Sequence, residues 1–363
     1  MLLTTYKSIK GDIVELSFYK NKTVLVTGHT GFKGSWMCKL LTVLGANVIG
    51  YALEPPTSPS LFAIAKLMNE MTSVIGDIRD LEKLSRTVHN HKPEIVIHMA
   101  AQPIVRAGYL DPVYTYETNV MGTVNVCEAI RNCKCVSSFV NVTTDKVYSN
   151  DGHNGCFSEN DELNGFDPYS NSKSCSELIT SCYKNSYFEK RGIAVSTCRS
   201  GNVIGGGDFA KDRIIPDCVR AMQANELIFV RNPFSTRPYQ HVLESITAYL
   251  LIAAKQYQDH NVADCYNIGP DESVSTEKLV ELFCAAWGSG SFQNNTENND
   301  CLYETEKLDL DCSKMKQTFQ WKQCWNIDTA IQKTVEWSKA YINGEDTVTL
   351  MERQIQDYFR ENG

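Results

Sequence analysis

No uninterrupted apolar run in this 363-residue chain reaches the roughly 18 residues of a membrane-spanning helix, so no span is expected. Positive charge is not in excess either: 35 Lys and Arg stand against 43 Asp and Glu, a formal net charge of -8. Polyanion binding through counterion release needs a basic face, so nucleic acid is excluded as an expected partner. No internal repeat is found. No second close cysteine pair accompanies Cys133 and Cys135, so a zinc-ligand pattern is missing and no metal site is expected. No secretory leader is expected, because the sequence starts on polar residues (Thr4, Thr5, Lys7, Lys10 and Asp12). The 14 cysteines therefore read as reduced thiols of a cytoplasmic protein rather than as a disulfide framework.

What is there is core material: 42% of the residues are hydrophobic and 21% charged, which excludes a disordered chain. Short runs rich in β-branched residues alternate with helix-length amphipathic segments, the pattern of βαβ units in an α/β fold with a doubly wound parallel sheet. Strands are expected at Thr23 to Thr27, Asn47 to Tyr51, Glu94 to His98, Ser138 to Thr143 and Ala194 to Ser200, with helices at Leu81 to Asn90, Asp111 to Arg131 and Tyr169 to Lys190. After about Ser200 the pattern loosens, which predicts a nucleotide-binding domain over 18–200, rejoined by 241–260. A smaller lobe is expected over 201–240 and 261–350. The segment Gly288 to Asp300, dominated by Gly, Ser, Asn and Gln, reads as a loop.

Directly after the first strand comes Gly28-His29-Thr30-Gly31-Phe32-Lys33-Gly34, then the helical pattern Ser35 to Leu44. Gly28 permits a tight turn, Gly31 lets the backbone approach a pyrophosphate, and Gly34 allows close helix packing, with the anion at the helix N-terminus. Further on, Tyr169 and Lys173 stand four residues apart and share a helix face. A tyrosine with a pKa near 10 is a poor base at neutral pH, and an adjacent ammonium favours its phenolate, which makes Tyr169 a candidate base. Thr143-Thr144-Asp145-Lys146 closes the strand that begins near Ser138, at the C-terminal sheet edge where open α/β folds present catalytic groups.

The GxxGxxG spacing, with Tyr-x-x-x-Lys downstream, resembles the short-chain dehydrogenase/reductase superfamily, built on a Rossmann fold. Gly76-Asp77-Ile78 matches the turn that meets the adenine, His98-Met99-Ala100-Ala101 the strand end beneath the cofactor, and Asn119 the helix-stabilising, proton-relay Asn. Within it, Thr-Asp-Lys at 144–146, where dTDP-glucose dehydratases carry Thr-Asp-Glu, resembles the CDP-glucose 4,6-dehydratases. So do Leu53-Glu54-Pro55-Pro56-Thr57, Thr236-Arg237-Pro238-Tyr239-Gln240-His241-Val242 and Leu308-Asp309-Leu310-Asp311-Cys312-Ser313-Lys314.

The resemblance implies an NAD-dependent, redox-neutral dehydration of CDP-glucose by a homodimer. Its cofactor-binding residues would be Gly28, Thr30, Gly31, Phe32, Lys33, Gly34, Asp77, Ile78, Ala100, Ala101, Tyr169 and Lys173. The implied catalytic residues are Thr144, which holds the C4 oxygen, Asp145, which protonates the departing C6 hydroxyl, Lys146, which removes the C5 proton itself or through a water it positions, and the pair Tyr169 and Lys173. Gln102, Arg199, Asn202, Arg213, Arg237 and His241 match positions that hold the substrate. Two rival readings use the same scaffold: a 4-epimerase or reductase, against which the Asp145-Lys146 pair speaks, and a non-catalytic NAD sensor, against which Tyr169 and Lys173 speak. The acidic residue that usually ends the second strand is missing, since Ala52 and Leu53 stand there, which predicts loosely held NAD.

Overall fold

The computed structural model describes residues 16–150, 155–294 and 308–361; the polar start at residues 4–12 and loop residues 295–300 lie outside them. The five expected strands form β1 (Thr23–Thr27), β2 (Asn47–Ala52), β4 (Ile95–His98), β5 (Ser138–Val142) and β6 (Ala194–Ser200), and Thr72–Ile75 adds β3. With β11 (Cys265–Ile268) they make one seven-stranded sheet in the order β11-β6-β5-β4-β1-β2-β3. Every pairing is parallel.

The sheet is covered on both faces, which is why its central strands read as continuous apolar runs rather than alternations. Along β1, Val24 and Val26 enter one core with Val48, Ile95, Ile97 and Val140, while Leu25 enters the opposite core with Ile49, Val96 and Phe139. The first face is packed by the helices Phe32–Val43 and Val242–Gln258 and by C-terminal residues such as Trp325, Trp337 and Tyr358. The second is packed by Leu81–His91 and Gly122–Arg131.

Two expected long helices form, each interrupted by a π-turn. Asp111 caps Pro112–Tyr116, accepting from the Tyr114 amide, and the chain continues through a π-turn at Glu117–Met121 into Gly122–Arg131. Asp167 caps Pro168–Tyr183 through one carboxylate oxygen that accepts from the amides of Tyr169 and Ser170, each at 3.0 Å, with Pro168 at the first position.

The lobe carries three short ladders: β7 (Val203–Ile204) with β10 (Gln240–His241), β8 (Ile228–Val230) with β13 (Phe292–Asn294), and β9 (Thr236–Arg237) with β12 (Val274–Ser275). Its core is Ile215, Ile228, Val230, Leu279, Val280, Phe283, Ile331 and Val335.

Three expectations need correction. Residues 265–268, placed in the lobe from the sequence, are the edge strand of the main sheet, because Cys265 to Ile268 pair with Thr197 to Ser200. The stretch read as a loop contains β13 at Phe292–Asn294, paired with β8. Cys133 and Cys135, read as reduced, are joined in a disulfide; the other cysteines among the described residues are free.

Candidate active site

One large cleft, about 1120 Å³, runs across the carboxyl ends of the strands and under the lobe. Its first half is built by the glycine loop, and the loop needs its glycines for different reasons. Gly28 has φ +80°, and a Cβ there would meet the Ala100 amide nitrogen at 2.8 Å; a Cβ on Gly34 would lie 2.1 Å from the Gly28 carbonyl. Gly31 is different: nothing crowds it beyond the Gly28 carbonyl at 3.5 Å, and it caps the helix Phe32–Val43. An open glycine before free helix amides, at the switch point between β1 and β4, fits a dinucleotide pyrophosphate.

Gly28, Thr30, Gly31, Phe32, Lys33, Gly34, Asp77, Ile78, Ala100 and Ala101 all line this cleft. The Thr27 hydroxyl accepts from the amides of Met99 and Ala100, both at 3.1 Å, and so fixes the end of β4 to the loop. Burial works against ionisation of Asp77, but Arg79, bonding it through amide and guanidinium, holds its carboxyl below the usual range. Lys33 is pushed down to about 7 by burial, assisted by the charges of Arg213 and Lys173.

The second half holds the expected chemistry. β5 ends by delivering Thr144, whose hydroxyl donates to Asp145 Oδ1 at 2.9 Å. Asp145 is 1% exposed, its Oδ2 is buried without a hydrogen-bond partner, and burial raises its pKa against the pull of Lys146. A carboxyl whose neutral form is favoured by burial suits a general acid. Lys146 is half-buried on the cleft wall. Tyr169 and Lys173 face the same cleft, and the Lys173 ammonium donates to the Val142 carbonyl at 3.0 Å.

The electrostatics differ from the expectation in one respect. Burial pushes the Tyr169 hydroxyl up to about 12, and the groups that pull it down are the Thr144 hydroxyl and then Arg213. Lys173 is itself lowered to about 8 by burial, opposed by Glu177. The low-dielectric floor therefore outweighs any help from Lys173, which is not among the main groups that lower Tyr169.

Asn119 sits in the π-turn, where the extra residue per turn swings it inward. Its side chain accepts from the Gln102 amide at 2.8 Å and donates to the Gln102 carbonyl and the Ser172 hydroxyl. It thus braces the loop after β4 against the helix that bears Tyr169 and Lys173.

Of the expected substrate residues, Gln102, Asn202, Arg213 and Arg237 line the cleft, and two do not. Arg199 is 4% exposed and commits its guanidinium to Glu177 at 3.1 Å, the Tyr148 hydroxyl and the Glu159 carbonyl. That is the environment of an internal ion pair, closed to a ligand. His241 is fully buried with its ring edge-on to Trp36 and Trp325, and burial lowers its pKa to about 3. Conversely, Arg106 and Arg231 line the cleft although the sequence reading passed over them; only their charge could have marked them.

Comparison with known proteins agrees with this geometry. The chain is 45% identical to the CDP-glucose 4,6-dehydratase of Salmonella typhimurium, over 95% of this chain and 98% of that protein. It is 25% identical to a dTDP-glucose 4,6-dehydratase of Xanthomonas campestris, over 87% and 92% of the two. Among solved structures, dTDP-glucose 4,6-dehydratase from Bacillus anthracis, in complex with NAD, superposes with a TM-score of 0.75 at 22% identity, covering 90% of this chain and 99% of that one. UDP-glucuronic acid 4-epimerase from Bacillus cereus gives 0.77 at 20% identity, covering 88% and 99%. At such identities the structural likeness establishes the fold. The family described as GDP-mannose 4,6 dehydratase matches residues 25–334, and over that length the chain belongs to it.

Proposed function

We propose that this protein converts CDP-D-glucose to CDP-4-keto-6-deoxy-D-glucose with NAD that is regenerated in each cycle. The observation that carries the reading is the meeting, in one cleft, of the glycine loop, Tyr169, Lys173 and a buried Asp145 followed by Lys146 where the dTDP-glucose type has Glu. The 45% identity to a CDP-glucose 4,6-dehydratase over nearly the whole chain supports the choice of base.

Bound NAD would supply the hydride acceptor at C4 and return the hydride at C6. Gly28 to Gly34, Asp77, Ile78, Ala100 and Ala101 would hold it. Tyr169 takes the C4 hydroxyl proton, with Thr144 steadying the same oxygen and Lys173 beside the ribose. The 4-ketone acidifies the C5 proton, which Lys146 removes directly or through a positioned water, while Asp145 protonates the leaving C6 hydroxyl. C5 regains a proton, from Lys146 or its water, as the hydride arrives at C6, so that atoms balance as loss of one water. Acid and base contributions of this kind are typically worth about 10² to 10⁴ in rate each. An epimerase would need no buried acid beside a second proton-transfer group, so Asp145 with Lys146 disfavours that reading.

The assembly is read as a homodimer through the outer faces of the helices near the active site. Leu110, Val113, Met121, Phe166 and Leu178 are 51 to 87% exposed there, an apolar surface that a monomer would leave in water. Among the described residues no helix is long and apolar enough to cross a membrane, and the reading places the enzyme in the cytoplasm, in deoxysugar synthesis.

The test is incubation with CDP-, dTDP-, UDP- and GDP-hexoses, followed by the alkali-induced absorbance of a 4-keto sugar. CDP-glucose is expected to react far better than dTDP-glucose, and comparable turnover of the two would refute the assignment.

A further inference from the structure

One buried acid has no part in the chemistry above. Glu177 follows Lys173 by four residues, so it lies one turn further along the same face of the helix Pro168–Tyr183, and it is 4% exposed. One of its carboxylate oxygens accepts from the Thr143 hydroxyl. The other accepts from the Thr197 hydroxyl at 2.6 Å and from Arg199 Nη2 at 3.1 Å. The carboxylate thus joins three elements: the helix that bears Tyr169 and Lys173, the end of β5 through Thr143, and β6 through Thr197 and Arg199. The residues just ahead of Thr144 are held by this helix one after another. The Asn141 side-chain amide donates to the hydroxyls of Ser176 at 2.9 Å and Thr180 at 2.7 Å, the Val142 carbonyl accepts from Lys173, and Thr143 donates to Glu177.

Neutral groups could tie a helix to a strand, and a buried charge costs desolvation that an amide or a hydroxyl would avoid. The cations on either side of Glu177 give the reason for it. Arg199 is one. Lys173 is the other: its own hydrogen bond runs to an uncharged carbonyl, burial pushes it down to about 8, and the charge that opposes this shift is that of Glu177. The other titratable groups about Lys173 supply no negative charge. Lys33 is cationic or neutral, burial holds the His98 ring neutral with a pKa of about 3, and burial favours the neutral forms of Tyr169 and Asp145. Around Glu177 itself stand Arg199 and the thiols of Cys198 and Cys265, which burial keeps protonated.

We propose that Glu177 is a positioning residue of the dehydration: through Thr143 it fixes the strand end that presents Thr144, Asp145 and Lys146, and through its charge it keeps Lys173 an ammonium at the cleft. Arg199 is the counterion that lets this carboxylate stay ionised in the interior. Glu177 touches neither substrate nor cofactor and acts only through its neighbours. The proposal rests on the dehydratase reading of the cleft.

Glu177→Gln keeps the outline of the side chain and an acceptor for Thr143, but it strands the Arg199 charge in the interior. It is therefore compared with Arg199→Met and with the double variant Glu177→Gln, Arg199→Met, which removes both charges. Lysine amines acylate only when neutral. Trace acetylation of the full chain, dialysed free of NAD, across a pH series and read at Lys173 by peptide mass spectrometry, reports where this residue gives up its proton. Wild type should show a midpoint at about pH 8. The midpoint should fall by about one pH unit or more in both variants that lack Glu177, and should not fall in Arg199→Met. Turnover of CDP-glucose should divide the same way: kcat about tenfold to a hundredfold lower with KM nearly unchanged where Glu177 is lost, and close to wild type in Arg199→Met. A merely structural brace would let the double variant, its charges balanced, recover both the wild-type midpoint and kcat. That recovery overturns the proposal, as does an equal loss in Arg199→Met. Failure of wild type to convert CDP-glucose overturns the dehydratase reading, whereas the Lys173 midpoints decide the hold of Glu177 on Lys173 without substrate.

Discussion

The ammonium of Lys173 donates to the backbone carbonyl of Val142 at 3.0 Å, so the helix that carries Tyr169 is tied to the strand that delivers Thr144, Asp145 and Lys146. Removing that amine takes a cation from the cleft wall and takes its hydrogen bond from the Val142 carbonyl. Lys173→Met is expected to lower kcat by about 10² to 10⁴ with saturating NAD. A thermal melt run alongside separates lost chemistry from lost folding, and turnover within a few-fold of wild type would remove Lys173 from the mechanism.

Lys146 separates the two halves of the cycle. In Lys146→Ala the C4 oxidation should proceed while elimination stops, so reduced nicotinamide should build up on the enzyme after mixing with CDP-glucose. Rapid-mixing absorbance reads this directly. Dehydration at an unchanged rate would assign the C5 proton to another group.

Burial raises Tyr169 to about 12, and the Thr144 hydroxyl partly offsets this, turning its one proton from Asp145 Oδ1 to the phenolate form. Thr144→Val removes the offset and raises the pKa further. Because the base works deprotonated, kcat/KM climbs with pH through this ionisation, and the climb should shift to higher pH in the variant. A pH–rate profile whose limb stays in place would show that Thr144 does not tune Tyr169.

Glu244 provides a stability test away from the chemistry. Burial raises its carboxyl from 4.5 to about 7 although it accepts from the amides of Cys324 and Trp325 and from the Tyr358 hydroxyl. The folded chain therefore keeps a proton that the unfolded chain has released. The stability linked to that proton is complete below pH 4.5 and is lost as pH rises through 7. Glu244→Gln cannot titrate, so its melting temperature should vary less than that of wild type between about pH 5 and about pH 8. Parallel curves would refute the assignment.

Cofactor retention follows from the end of β2. Ala52 and Leu53 line the cleft where an acidic residue would accept from the adenosine ribose, and neither can. Such a bond is worth about 1.5 to 3 kcal/mol, or about tenfold to a hundredfold in affinity. The protein should lose NAD on dialysis and be stimulated by added NAD, with only moderate discrimination against NADP. Glu54 also reaches the cleft wall; stoichiometric NAD after dialysis would give it the role.

The parts legible in the sequence are those where local pattern and tertiary role coincide. β1 reads as a strand because Val24, Leu25 and Val26 are buried on both faces, and the glycine loop reads as a cradle because Gly28 and Gly34 have no room for a side chain. Arg199 misled because a side-chain type cannot reveal its partner: Glu177, on another element, claims the charge first. His241 misled likewise, since only the packed chain shows Trp36 and Trp325 around it. The strand Cys265–Ile268, four residues of mixed polarity, has no periodicity long enough to read, and its place comes from pairing with β6.

That late strand bears on synthesis. The residues that cradle a dinucleotide and those that move protons have all left the ribosome before Cys265 is made, yet until then β6 offers an unpaired edge. Before the helix Val242–Gln258 arrives, part of one sheet face is also bare. A nascent chain stopped in this interval carries a full set of catalytic side chains on a sheet with an open, apolar border. Such a truncation product should aggregate edge to edge rather than persist as a smaller enzyme.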